Sequence, residues 1–526
     1  QQIAGMFAFA LWDEPQKRLL LVRDRFGIKP LFVAHSDDGR LVLFASEIKA
    51  LLASGCLTPR LDARGLQDVW SAGYAMPPRT MFQGIRSVPP GSFVQYNLTG
   101  EPRRGRYYDV PYAGAEASGA AVVPGLARAA EDFHSRFDEV VQSHLMADVP
   151  VASYLSGGID SVSVAARAAQ HSAGLSTFSM VFGGEDRRYD ESLHSDLAAE
   201  HLDVDHHRVL LSGISPEDFE GTIAAMESPQ IHTVAFCLYQ LARAVRQAGL
   251  KVVLSGEGAD EVLAGYRAFR IARFRRVLSG RGMFVRRGLV KAFLRRRQPQ
   301  FAADLLSWWG HEAEVQARYG LVPPWVEQWW LMQATCGGML HEDLRQEGVA
   351  QLPQAPDASL GAHADLHNDL RFEQASRLEG WVLGMGDRLS MAHSVELRVP
   401  FLDHRLVDTV AALPPRYLLR RFEEKHILRR AMAPDLPPAL VRRRKRAFMA
   451  PSSEWLFGAK TPDWVQDRLS ASSLAKTGWF DADAVQAALR RVDAARGLER
   501  MSLGWGLTAV LSTVSWAETF KVSSGP

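Results

Sequence analysis

Short apolar runs separated by turn residues fill the first hundred positions. Phe7–Trp12 (FAFALW), Arg18–Asp24 (RLLLVRD) and Leu41–Glu47 (LVLFASE) each have the length of a strand. Glu14-Pro15, Gly27 and Asp38-Gly39 punctuate them, and Pro77-Pro78 and Pro89-Pro90-Gly91 break up the rest. The pattern predicts a β-rich unit over residues 1–108, with Ile3–Trp12 as a buried strand. Residues 109–127 are rich in Ala, Gly and Pro and poor in bulky apolar side chains, as expected of an interdomain linker. From Arg128 the period changes. Phe133, Phe137, Val140, Val141 and His144 recur at helical spacing, and β–α alternation follows, so residues 128–526 read as an α/β unit. No internal repeat is evident.

Composition narrows the function classes. The 526 residues are 47% apolar and 23% charged, ordinary for a folded protein and enough for a sizeable core. Lys plus Arg is 61 and Asp plus Glu is 59, a formal charge of +2. A protein that works mainly by electrostatic attraction to nucleic acid or membrane is not expected from this balance. Ile3–Trp12 has no basic residue before it and runs into acids, unlike a signal peptide. No run approaches the ~20 apolar residues of a membrane helix. The three cysteines, Cys56, Cys237 and Cys336, are far apart and form no CxxC pair. They read as buried small hydrophobes and suit a reducing cytoplasm.

Two loops carry candidate chemistry. Val149–Leu155 is a short apolar strand, Ser156-Gly157-Gly158-Ile159-Asp160-Ser161 follows, and residues 162–173 have helical character. A strand, a glycine turn and a helix start aim backbone N–H groups at one point, which suits a phosphate. Asp160 would repel a bare phosphate and makes sense with a Mg²⁺ between them. The loop lacks the lysine and spacing of a Walker-type site. The second loop, Ser255-Gly256-Glu257-Gly258-Ala259-Asp260-Glu261, follows the strand Lys251–Ser255. Both loops thus sit at the carboxyl ends of strands, where open parallel sheets bind ligands. Crowded carboxylates need a cation, and a Mg²⁺ shared by Asp160 and Asp260 would supply one. Read singly, each loop is also an ordinary capped turn.

Taken in order, SGGIDS, SGEGADE, Asp387–Glu396 (DRLSMAHSVE), Arg398–Asp403 (RVPFLD), Glu424–Arg429 (EKHILR) and Arg443–Phe448 (RRKRAF) resemble asparagine synthetases of the glutamine-dependent type. The early segments Gly5–Ala10, Arg23–Leu31 and Ala45–Leu51 resemble that family's amidotransferase domain. The likeness spans nearly the whole chain. It implies part of an Ntn-type (αββα) class II amidotransferase domain over 1–108, a linker over 109–127, and a doubly wound parallel-sheet synthetase domain of the PP-loop ATP-pyrophosphatase type, with a helical C-terminal part, over 128–526.

The resemblance also implies a reaction and a set of residues. A substrate carboxylate attacks the α-phosphorus of ATP, pyrophosphate leaves, and ammonia attacks the acyl-adenylate. Ser156, Gly157, Gly158 and Ser161 would hold pyrophosphate, and Asp160 and Asp260 would hold Mg²⁺. Tyr154, Met180, Ser255 and Gly256 would line the adenosine site. Glu257 would face the acyl-adenylate, while Lys445 and secondarily Lys425 would neutralise phosphate and oxyanion charge. The implied substrates are aspartate, ATP, and ammonia or glutamine, with a homodimer allowed and no nucleic acid or membrane. Glutaminases of this family use an N-terminal cysteine as nucleophile. This sequence begins with Gln1, so the polypeptide as written is expected to use ammonia only. A related adenylating ligase, β-lactam synthetase-like or transferring to a peptide or sugar, is the alternative. A non-catalytic homologue would predict broken loops, and both loops are intact. A nucleic-acid binder would draw on Arg267–Arg297, with twelve basic residues and no acidic one, though a basic helical face is the simpler account. Trp308, Trp309, Trp325, Trp329 and Trp330 read as core or domain interface, and His206-His207 as surface.

Overall fold

The computed structural model describes residues 3–112, 124–279, 308–346, 348–353, 355, 365–445, 449–451, 453–458 and 461–522. The N-terminal unit holds two antiparallel sheets. Strands β1 (Ala8–Asp13), β2 (Arg18–Arg23), β6 (Ser92–Asn97) and β7 (Arg103–Arg106) form one. Strands β3 (Phe32–His35), β4 (Val42–Ala45) and β5 (Arg86–Ser87) form the other, in the order β4-β3-β5. The expectation of a buried first strand is corrected here. Among the described residues β1 is an edge strand paired with β2, and Ile3, Leu11 and Trp12 are exposed.

The second unit is built on a five-stranded parallel sheet. Its strands are β8 (Val151–Tyr154), β9 (Ser176–Phe182), β10 (Asp205–Leu211), β11 (Val252–Leu254) and β12 (Glu396–Arg398), in spatial order β10-β9-β8-β11-β12. The chain winds from β8 outwards through β9 and β10, then returns to β11 and β12 on the other side. The winding direction therefore reverses between β8 and β11, which opens a crevice at their carboxyl ends. The helix Leu126–His144 buries Phe133, Phe137, Val140 and Val141 against the core, as their spacing requires. Val110 and Tyr112, within the Ala/Gly-rich stretch, are buried in that same core. The remaining C-terminal part is helical and ends in Gly497–Phe520. No helix among the described residues is long and apolar enough to cross a membrane.

One continuous helical rod joins the two units. It runs as α-helix over Asp365–Glu373, π-helix over Gln374–Leu383 and α-helix again over Gly384–Met391. From it, Glu379 pairs with Arg23 at 2.6 Å and accepts from Ser87 Oγ at 2.9 Å, while Asp387 pairs with Lys29 at 2.6 Å. Glu227 adds a further tie. Its carboxylate accepts from the N–H groups of Ile48 and Lys49 at 2.8 and 2.6 Å. It thereby caps the helix Ile48–Ala53, whose own preceding residue makes no side-chain cap. Trp308, Trp329 and Trp330 pack with Ala72, Tyr74 and Met76, which places the tryptophan cluster across the two units.

Arg23 and Glu379 are both almost fully buried. Removing one partner strands a buried charge and costs about 3–5 kcal/mol, whereas replacing both by apolar residues costs far less. Arg23→Met alone is therefore expected to lower the chemical-denaturation midpoint more than the double variant Arg23→Met/Glu379→Leu. Equal losses in denaturant titrations would show that the pair does not hold the units together.

Candidate active site

The Ser156–Ser161 loop leaves β8 and the Ser255–Glu261 loop leaves β11, so the two meet over the crevice. The helix Ile159–His171 starts with no side-chain cap, leaving its first N–H groups free to face a ligand. Serine hydroxyls shape the turn. Ser161 Oγ accepts from Ser156 N and donates to the Gly158 carbonyl, at 3.0 and 3.2 Å. Gly157 has φ +68°, and a β-carbon there would lie 2.5 Å from His194 Cβ. At Gly256 a β-carbon would lie 2.8 Å from Ser161 N and 2.9 Å from Asp160 Cβ, so glycine is what lets the loops touch. Ser255 N donates to the Arg398 carbonyl at 2.9 Å, tying the second loop to β12.

Four charges fill the floor of the crevice. Lys425 Nζ lies 2.5 Å from Asp160 Oδ2 and 2.6 Å from Asp260 Oδ1. Lys445 Nζ lies 2.7 Å from Asp260 Oδ2 and 3.7 Å from Asp160 Oδ2. Lys425 is fully buried, and its backbone is left-handed with φ +55°. Burial tends to raise Asp260, but Lys425 and Lys445 outweigh it and hold the carboxyl well below the usual range. Burial likewise tends to lower Lys445, and Asp260 and Asp160 more than reverse this. Two anions and two cations cancel, which makes the cluster tolerable in a dry site. Gly265 completes it, since a β-carbon there would overlap both Asp260 Oδ1 and Lys425 Cε.

A cavity of about 310 Å³ opens above these charges. Tyr154, Ser156, Gly158, Asp160, Ser161, Met180, Ser255, Gly256, Glu257, Asp260 and Lys445 all line it. Gly157 lies in the same turn, and Lys425 sits beneath, bonded to both aspartates. Glu257 packs against Gly386 of the rod, and its Oε2 is buried without a hydrogen-bond partner. Burial, then Glu261 and Asp387, pushes Glu257 up to about 8.

The motifs did not point to every wall residue. Arg377, Trp381 and Met385 of the rod also line the cavity, and so does Glu191, paired with Arg443 at 2.9 Å. Arg377 sits in no glycine or acid loop, so only helical placement could have marked it. Other readings are corrected. Cys237 and Cys336 are buried, but Cys56 is half-exposed in the turn after Ile48–Ala53. His206 and His207 are half-buried on β10. His206 bonds to Thr177 and Ser179, and His207 stacks on Phe178 at 4.5 Å. In the basic stretch, Arg270, Arg275 and Arg276 pair with Glu424, Glu327 and Asp369. Residues 280–297 of it, and Arg446–Phe448 of the last motif, lie outside the described residues.

Family comparison decides the class. The asparagine synthase family model matches residues 132–518, and the glutamine amidotransferase domain model matches residues 1–108. The chain belongs to the asparagine synthase family. A putative asparagine synthetase [glutamine-hydrolyzing] of Mycobacterium tuberculosis is 29% identical over 497 residues, covering 90% of this chain and 71% of the relative. Asparagine synthetase [glutamine-hydrolyzing] 3 of Bacillus subtilis is 28% identical over 463 residues, covering 84% and 67%. Amidase chyE of Penicillium rubens is 30% identical over 532 residues, covering 93% and 76%. As a member of the asparagine synthase family, the chain is an ATP-dependent carbon–nitrogen ligase.

Glu257 generates a pH prediction. A carboxyl raised in the folded state keeps its proton more tightly there than in the unfolded chain. Its ionisation therefore erodes stability as pH climbs from the ordinary value of 4.5 towards about 8. Glu257→Gln removes this ionisation. Between about pH 5 and about pH 9, its melting temperature should fall less steeply than that of the wild type. Parallel slopes in a pH series of thermal melts would refute the assignment.

Proposed function

We propose that the cavity forms an acyl-adenylate from aspartate and ATP, β-aspartyl-AMP, and then yields asparagine by ammonia attack. The observation that supports this most is the sharing of Lys425 and Lys445 by Asp160 and Asp260, at the mouth of an uncapped helix. A nucleotide triphosphate brings several negative charges into a site whose own charges cancel. The lysines then have a stronger partner in the phosphates, and the aspartates are left to share another cation. Asp160 Oδ1 is already buried without a hydrogen-bond partner, and two carboxylates touching one Nζ are close enough to hold one ion. This donor set fits Mg²⁺, which is held by one or two carboxylates together with substrate phosphates. When bound, Mg²⁺ screens the negative charge of the departing pyrophosphate.

The chain's own groups do the rest. The loop N–H groups and the hydroxyls of Ser156 and Ser161 hold the pyrophosphate portion. Tyr154, Met180, Ser255 and Gly256 enclose the adenosine. Lys445, and secondarily Lys425, offsets charge that builds on the α-phosphate oxygens as the substrate carboxylate attacks. Glu257, protonated near neutral pH, faces the adenylate without repelling it. The incoming ammonia sheds its proton after attack, and AMP leaves. Cys237 and Cys336 are buried with thiols pushed up by burial, Cys336 to about 12, and neither is an activated nucleophile.

A second reading is adenylation of a different acid in the same cavity. ATP–pyrophosphate exchange with aspartate and a panel of other carboxylic acids separates the two. Exchange with aspartate is expected, and exchange only with another acid favours the second reading. Asp160→Ala and Asp260→Ala should each lower exchange by at least about 1,000-fold, in line with loss of charge stabilisation. Near-wild-type rates in either variant would remove these aspartates from the chemistry.

A further inference from the structure

We propose that Arg377 selects the acyl substrate by binding a second carboxylate on it, remote from the one that is activated. The inference rests on the adenylation reading above and adds the chemical class of acid. Most cations of the cavity are committed. Lys425 and Lys445 pair with the two aspartates, and Arg443 pairs with Glu191. Arg429 donates to the carbonyls of Glu424, Val441 and Arg443. Arg444 is exposed at the surface.

Arg377 differs from all of these. Its guanidinium carbon lies 4.1 Å from the ring centre of Trp381, 4.3 Å from Trp325 and 5.2 Å from Tyr266. Aromatic faces hold the flat guanidinium by its own faces, Tyr266 takes a hydrogen bond from it, and Nε is left over. Among the described residues no carboxylate makes an ion pair with it, and its Nε is buried without a hydrogen-bond partner. Glu373, one turn earlier on the rod, and Glu261 both face the guanidinium, and burial pushes their carboxyls up, to about 8 and about 7, against its pull. A planar, pre-oriented guanidinium in a cavity wall, in no ion pair within 4 Å among the described residues, matches a carboxylate in a two-pronged contact.

Its place in the fold points the same way. Arg377 lies in the π-helical stretch Gln374–Leu383, and π turns are rare and recur at functional sites. The rod also brings Trp381 and Met385 to the cavity, and Val234 and Leu238 line it as well. The substrate that fits is a short diacid or amino diacid. Its hydrocarbon lies along these apolar side chains, its free carboxylate meets Arg377, and its reacting carboxylate points towards Lys445.

The test compares ATP–pyrophosphate exchange with aspartate and with 3-aminopropanoate, which is aspartate without the α-carboxylate. The wild type should prefer aspartate by at least about 100-fold in kcat/KM, because a site built for a polar group discriminates strongly against its loss. Arg377→Met should erase that preference by raising KM for aspartate, with kcat and the KM for ATP changed little. Arg377→Lys should recover part of the preference. Exchange with both acids at similar efficiency in the wild type would overturn the role of Arg377 alone. So would equal loss with both acids in Arg377→Met. Absence of exchange with every acid tried would overturn the ligase reading itself, and this inference with it.

Discussion

Two lysines, one fully buried and one half-buried, held between two aspartates are the constraint around which the site is organised. Asp160 comes from the loop after β8 and Asp260 from the loop after β11. Lys425 and Lys445 come from a segment more than 160 residues further along, as the separations of 265 and 185 residues in their hydrogen bonds record. None of these groups could be buried alone, because an unpaired charge in a dry site is far too costly. Assembly of the crevice therefore requires the sheet, both loops and the C-terminal helices to be in place together. Gly256 and Gly265 belong to the same constraint, since a side chain at either would push the charges apart.

The helical rod over 365–391 extends this order outwards. One side meets the cavity through Arg377, Trp381 and Met385. Its other contacts reach the N-terminal unit through Glu379 and Asp387. A ligand that moves the first set bears on the second through a single stiff element. The ion pairs there are short and mostly buried, so the N-terminal unit is fastened to the wall of the cavity and not to a remote surface.

Much of this was legible along the chain. Strands β1, β2, β4, β8 and β11, the two glycine–acid loops and the helical spacing from residue 128 follow from period and turn chemistry. The ordered motifs picked out Lys425 and Lys445 against their local appearance. Lys445 sits in a run of five cations that looks like a solvated surface, yet it points inwards to Asp260. Arg377 escaped notice because nothing beside it in sequence marks it. Its setting is made of rings from residues 266, 325 and 381, which only folding brings together. The exposed face of β1 was misjudged for a related reason, since an apolar run does not reveal whether another layer covers it.

The sequence by itself determined the local devices: glycine turns that expose N–H groups, helices with one apolar face, and acids placed to need a cation. These depend on backbone sterics and on the spacing of neighbours, which are properties of short segments. Tertiary structure alone decided how charge is balanced. Which lysine meets which aspartate, which arginine is stacked among rings in the cavity wall, and which carboxyl is pushed up to about 8 all depend on burial and on partners far away in the chain. Electrostatic energy in a protein is set by distance in space and by exclusion of water, and neither is written into the order of residues.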